Sequence, residues 1–251
     1  MCFNAKTSLI TFTISAVCFL YLFNRGLKTK NKNDVFLSIL TILIGLMQLI
    51  EFFLWRNQDC NIINHYFSLS IIVVLFLQAT ITNLVYLKLY PSDSFFSKNF
   101  VKSIIFIYLI FLIYVLYCLN TFNLCSKPSS NSCRLVWDSF VKLNENNLAF
   151  ILFLCFYFFM FFILLVNSFY SKNTLFTKYP FRYSVLPITF IIASIYVLIT
   201  SYFYKEIYIF LQNGNFYNLF KKTLLLSSND VFGSVWCFLC VFVGIIGILK
   251  I

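Results

Sequence analysis

Long apolar runs separated by short polar stretches organise this chain from end to end. The runs fall at about residues 7–24, 35–55, 67–89, 102–122, 148–170, 184–204 and 231–249. A helix needs roughly 20 mostly apolar residues to cross a hydrocarbon core of about 30 Å. Inside lipid the backbone has no water to bond, so a spanning segment of this kind must be helical. The pattern therefore predicts an all-α integral membrane bundle of seven transmembrane helices, forming a single domain over residues 1–251. The first run is the shortest, and with Lys6 before it the segment could be read as a signal peptide. No small-x-small cleavage pattern follows; Arg25, Lys28, Lys30 and Lys32 arrive instead, which is a stop-transfer pattern.

Lysine and arginine in the loops predict the orientation. One side carries Arg25, Lys28, Lys30 and Lys32, then Lys88, Lys98 and Lys102, then Lys172, Lys178 and Arg182, and finally Lys250. The other side carries fewer, spread over longer loops: Lys6, Arg56, Lys127, Arg134, Lys142, Lys205, Lys221 and Lys222. This asymmetry predicts an outside N-terminus and a cytosolic C-terminus. Cysteine placement points the same way. Cys18, Cys118, Cys155, Cys237 and Cys240 lie within runs, whereas Cys2, Cys60, Cys125 and Cys133 all fall on the side read as outside. An oxidising exterior permits disulfides. Cys125 and Cys133 are close enough to close a small loop, which would leave Cys2 to pair with Cys60; four cysteines allow three pairings, and all three stay open.

Composition supports the membrane class: 61% of residues are hydrophobic, 21% aromatic and only 11% charged. A globular soluble chain has roughly a quarter of its residues charged. The formal net charge of +11 does not point to nucleic acid, because the basic residues sit singly or in small groups at helix ends. There they act as orientation signals and as contacts for anionic lipid head groups. Membrane lipids are the expected partners. Residues 123–147 and 205–230 form the two outer loops with content of their own; the second has the pattern of a short interfacial helix.

Glu51 is the one carboxylate inside a predicted span, a placement that costs several kcal/mol and by default marks a functional site. Gln48 lies three residues before it and Trp55 four after, so the three share one helix face. Glu51 either anchors a site there or snorkels to the head groups and pairs with Arg56. Asp59, His65, Trp137, Asp138, Asp230 and Ser234 lie towards the same side; His65 reads better as an interfacial residue than as a ligand. One histidine leaves no zinc site of the His₂ or His₃ type, so neither metal nor cofactor is expected. In the third run Gln78, Thr80, Thr82 and Asn83 fit interhelical hydrogen bonding better than a pore lining. Gly244 and Gly247 would let the last span pack closely, and Cys237 with Cys240 read as small packing residues. Pro187 predicts a kink in the sixth span. No mid-membrane lysine stands in the last run, and neither a phosphate-binding loop nor a nucleophile elbow occurs.

The opening Met1-Cys2-Phe3-Asn4-Ala5-Lys6-Thr7-Ser8 and the later Gln48-Leu49-Ile50-Glu51-Phe52-Phe53-Leu54-Trp55 resemble a family of uncharacterised bacterial multi-spanning membrane proteins. That family has an MCFSA-x-AS start and a Q-x-x-E-x-x-x-W second helix; Asn4 stands where its pattern has serine. The resemblance covers about the first 60 residues. It implies that Cys2, Gln48, Glu51 and Trp55 belong to one site, and it carries no activity. Two functions are expected from these residues. One is binding or sensing of a small or lipid-like ligand in an outward-facing pocket lined by Gln48, Glu51, Trp55, Trp137 and Trp236. The other is a membrane enzyme with Glu51 as general acid or base, assisted by Asp59, His65 or Asp138. A carrier or channel comes third, since the polar residues crowd to one side and spans four and five are nearly all apolar.

Overall fold

The computed structural model describes residues 4–90, 95–128, 135–145, 147–170 and 242–249. Its elements are α1 (Ala5–Thr29), α2 (Lys32–Arg56), α3 (Ile62–Leu89), α4 (Lys98–Asn120), a two-residue hairpin of β1 (Lys127–Pro128) and β2 (Leu135–Val136), α5 (Asp138–Glu145), α6 (Asn147–Tyr170) and α7 (Phe242–Leu249). The expected runs at 184–204 and the loop at 205–230 lie outside the described residues, as do Pro187, Cys2, Cys133, Cys237, Cys240, Asp230, Ser234 and Trp236. Helices α1 to α4 are each long and apolar enough to cross a bilayer. Helix α6 is a further apolar helix with no charged residue along its length.

Polar residues at the ends punctuate the spans. Asn4 caps α1 by accepting the Thr7 N–H at 3.0 Å. Asn31, Asn61 and Ser97 cap α2, α3 and α4 in the same way. Lys30 adopts the left-handed conformation with φ 52°, and its N–H returns to carbonyls of Gly26 and Leu27. Only Lys30 and Asn31 separate α1 from α2, which makes the pair an antiparallel hairpin.

Helix α1 packs on α2 through small residues. Its buried positions are Ser8, Thr11, Ser15, Cys18, Leu22 and Gly26, spaced three or four apart along one stripe. The backbones are so close that a Cβ on Gly45 would stand 2.6 Å from the Cβ of Ser15. Of the buried hydroxyls, those of Thr11, Ser15 and Thr41 each donate to a carbonyl four residues back, while Ser8 Oγ has no partner among the described residues. Helix α7 fits against both α1 and α2 through its glycines, as the sequence suggests: a Cβ on Gly244 would stand 2.6 Å from Thr41 Cγ2 and 3.0 Å from Cys18 Cβ.

The main core lies between α2, α3, α4 and α6, built around Met47, Phe76, Tyr108, Phe153 and Met160, all of them buried. A second, smaller core gathers Leu22, Phe36, Leu37, Leu40, Tyr86 and Tyr90 at the end of the bundle that holds the α1–α2 turn. Outward-facing positions are apolar too. Leu9, Ile10, Ile14, Val17 and Leu20 on α1, Phe106, Ile110 and Ile113 on α4, and Leu148, Ile151 and Phe162 on α6 are all exposed. A water-soluble monomer rarely shows apolar patches of this extent; the arrangement fits helices standing in lipid.

The polar residues of α3 behave as interhelical links in two cases out of four. Gln78 Nε2 donates to the Leu43 carbonyl of α2 at 3.0 Å, and its Oε1 accepts from Tyr157 OH of α6 at 3.3 Å. Asn83 Nδ2 reaches the Met160 carbonyl of α6 at 3.0 Å. Thr82 donates only within its own helix, and the Thr80 hydroxyl has no partner among the described residues.

Candidate functional site

Glu51 sits about one turn from the C-terminal end of α2 and is only 1% exposed. Gln48, one turn earlier on the same face, donates from Nε2 to Glu51 Oε2 at 3.1 Å. The second donor comes from far along the chain: Trp137 Nε1 donates to Glu51 Oε1 at 3.2 Å, a bond spanning 86 positions. Both carboxyl oxygens are therefore held, and the group is turned into the bundle and not out to the head groups. Arg56 is exposed at the helix end. Trp55, one turn beyond Glu51, packs on the main core, and its buried Nε1–H has no hydrogen-bond partner among the described residues.

Trp137 reaches Glu51 because the segment after α4 folds down as a cap. Asn64 and Ser68 on α3 hold Ser126 at three points: Asn64 Nδ2 donates to the Ser126 carbonyl at 3.0 Å, Asn64 Oδ1 accepts the Ser126 N–H at 2.9 Å, and Ser68, one turn along, meets the Ser126 hydroxyl at 2.7 Å. Ser126 Oγ then accepts the Asp138 N–H at 3.1 Å, and Asp138 Oδ2 accepts the Cys125 N–H at 2.8 Å. His65 Nδ1 accepts the Leu124 N–H at 3.3 Å, so the histidine fastens the backbone of the capping segment. The short hairpin pairs Lys127 with Val136, which aims the following Trp137 inwards, and its ring lies 5.5 Å from that of Phe140.

A disulfide fixes the same cap. Cys60 bonds Cys125, with Cα atoms 4.9 Å apart. Of the pairings that the sequence leaves open, this bond excludes both the Cys125–Cys133 loop and the Cys2–Cys60 tie. The physical reason is the docking of Ser126 on Asn64, which lays residue 125 against the α2–α3 turn; nearness in sequence is overruled by that contact. Cys18, Cys118 and Cys155 are free.

Of the residues expected at the site, the structure brings together Gln48, Glu51, Trp55 and Trp137; Cys2 and Trp236 are outside the described residues. Asp59 is exposed in the α2–α3 turn, while His65 and Asp138 are engaged with the backbone of residues 124 and 125. No group of three or more His, Cys, Asp and Glu able to hold a metal occurs among the described residues.

At the opposite end lies a polar cluster that sequence reasoning missed. Arg25 clamps Asp34 with two bonds, Nε to Oδ2 at 2.6 Å and Nη2 to Oδ1 at 2.8 Å. The same guanidinium donates to the carbonyls of Gly247 at 2.9 Å and Ile248 at 3.2 Å, so it also caps α7. Nearby, Tyr90 OH donates to Asn33 Oδ1, and Asn167 on α6 accepts the Phe96 N–H at 3.0 Å. The only signal available was an acid nine positions after an arginine, across a turn.

No family model, curated protein or solved structure matches this chain.

Proposed function

We propose that the chain is a seven-helix membrane protein that binds a small or lipid-like ligand at Glu51, beneath a cap on its outer side. The observation that carries the binding reading is the buried Trp55 N–H, without a partner among the described residues, one helical turn from a carboxyl whose two oxygens are already held. A buried donor without an acceptor costs about 1–3 kcal/mol, and a bound acceptor group would recover that energy. Aromatic walls from Trp55, Trp137 and Phe140 suit an apolar body attached to such a group. The cap adds a sensory element: Trp137 belongs to the outer segment and touches the membrane-embedded carboxyl directly, so a ligand that displaces or tightens this bond moves the outer face.

Seven spans and opposite termini draw support from where the described helices end. Helix α6 ends beside the start of α4 through the Asn167–Phe96 bond, and α7 ends beside Arg25. Both ends lie on the face of the α1–α2 turn. A chain that leaves and re-enters on one face crosses an even number of times between, and the apolar runs at 184–204 and 231–249 supply two crossings. That face carries exposed Lys28, Lys30, Lys32, Lys88, Lys98 and Lys102, as a cytosolic face does. The enzyme reading has less support, because His65 and Asp138 are engaged in fastening the cap.

The test is the apparent melting temperature of the full chain in detergent against fractions of a membrane lipid and metabolite extract. A ligand at 100 times its Kd stabilises by about 2.7 kcal/mol, so at least one fraction should raise the melting temperature of wild type and leave Glu51→Gln unmoved. A fraction that raises both equally would place its ligand elsewhere, and no shift from any fraction would leave the binding reading without support.

A further inference from the structure

The turn between α2 and α3 holds a backbone conformation that its sequence does not favour. Cys60 stands there at φ 52°, in the left-handed region where the Cβ of a non-glycine residue is crowded. Its side chain is bonded to Cys125 at the foot of the cap. The bond therefore keeps residue 60 where the cap requires it.

Asn64 joins that turn to the cap with every polar atom of its side chain. Nδ2 donates to the Asn57 carbonyl at 2.6 Å and to the Ser126 carbonyl at 3.0 Å. Oδ1 accepts the Ser126 N–H at 2.9 Å and the Ser68 hydroxyl at 3.2 Å. The Asn64 N–H in turn donates to Asn61 Oδ1 at 3.0 Å. Asn57 and Asn61 lie on either side of Cys60 in the chain, so the backbone at residue 60 sets where Asn64 is held. On the cap side, the Cys125 N–H donates to Asp138, and the preceding residue, Trp137, donates to Glu51. Both ends of the disulfide thus adjoin the groups that position Trp137.

We propose that the Cys60–Cys125 bond is a redox latch on the Glu51 site: its reduction frees the cap and breaks the Trp137–Glu51 hydrogen bond. The reductant is a dithiol. One of its thiolates attacks Cys60 Sγ, the better approach because Cys60 is exposed and Cys125 half-buried. Cys125 leaves as a thiolate and takes up a proton. The second thiol then displaces Cys60 from the mixed disulfide, so two electrons and two protons pass to the protein and the reductant closes its own disulfide. Residue 60, no longer tethered, relaxes from the left-handed region. Asn57 and Asn61 shift with it, and Asn64 loses its grip on Ser126. The regulatory meaning rests on the ligand reading of Glu51; the release of the cap does not.

Amide exchange on the full chain in detergent, with no ligand added, tests the latch. Oxidised wild type is compared with the same protein in dithiothreitol and with Cys60→Ala. In both, exchange over residues 124–128 and 135–145 should quicken by about tenfold, the bias carried by one left-handed residue, while α4 keeps its rate. Cys60→Gly lacks the bond but accepts the left-handed turn, so it should stay nearer the oxidised protein. Unchanged exchange in the cap on reduction would overturn the latch, as would equal quickening throughout α1 to α4. A Cys60→Gly cap as fast as that of Cys60→Ala would overturn the part given to the turn. Failure to find a ligand at Glu51 would leave these outcomes standing, because none enters the experiment.

Discussion

Replacing Arg25 by glutamine is expected to destabilise the protein by about 3–5 kcal/mol, the usual cost of breaking a buried ion pair from one side. Asp34 is only 3% exposed, and the guanidinium gives two hydrogen bonds to its carboxylate. The loss does not stop there, since the carbonyls of Gly247 and Ile248 lose their donor and the end of α7 loses its cap. Arg25→Lys should fall between, because an ammonium keeps the charge but cannot fork onto a carboxylate and reach two carbonyls as well. Denaturant titration in detergent measures the energy, and amide exchange over residues 242–249 should quicken in both variants. A glutamine variant as stable as wild type would mean that the Arg25–Asp34 pair does not hold these three helices together.

Removal of the Cys60–Cys125 bond is expected to cost about 4 kcal/mol on the chain-entropy estimate for a loop closed across a separation of 65 positions. Cys60→Ala and a reductant should therefore lower the melting temperature alike. Cys60 also has φ 52°, a left-handed conformation that a Cβ disfavours. For that reason Cys60→Gly should be about 1 kcal/mol more stable than Cys60→Ala, though still well below wild type. Peptide mapping without reduction gives the direct check: a Cys60–Cys125 linked peptide is expected, and a Cys125–Cys133 peptide would contradict the cap geometry.

These outcomes show which kinds of information a membrane sequence displays openly. The spans are legible because lipid imposes a length and an apolarity on each crossing helix, so runs near 7–24, 35–55, 67–89, 102–122 and 148–170 reappear within α1 to α4 and α6 with modest extensions at their ends. The Gln48–Glu51 contact is legible for a local reason, since a spacing of three on a helix sets both side chains on one face. Trp137 could be placed towards the same end as Glu51 but not against a particular oxygen, because that contact depends on how the segment after α4 docks. The disulfide pairing stayed open for the same cause: only the docking of Ser126 on Asn64 and Ser68 brings Cys125 to Cys60. Arg25 looked like an orientation signal because its partner opens the next helix, and the pair exists only once the two-residue turn is made.

The central claim is that Glu51 anchors a bound ligand beneath the Trp137 cap, and native mass spectrometry of the purified full chain tests it most directly. Wild type is predicted to carry a co-purified mass that Glu51→Gln, folded and of equal yield, does not retain. Identical ligand-free spectra from both proteins would contradict the claim and leave Glu51 as a structural tie between α2 and the cap.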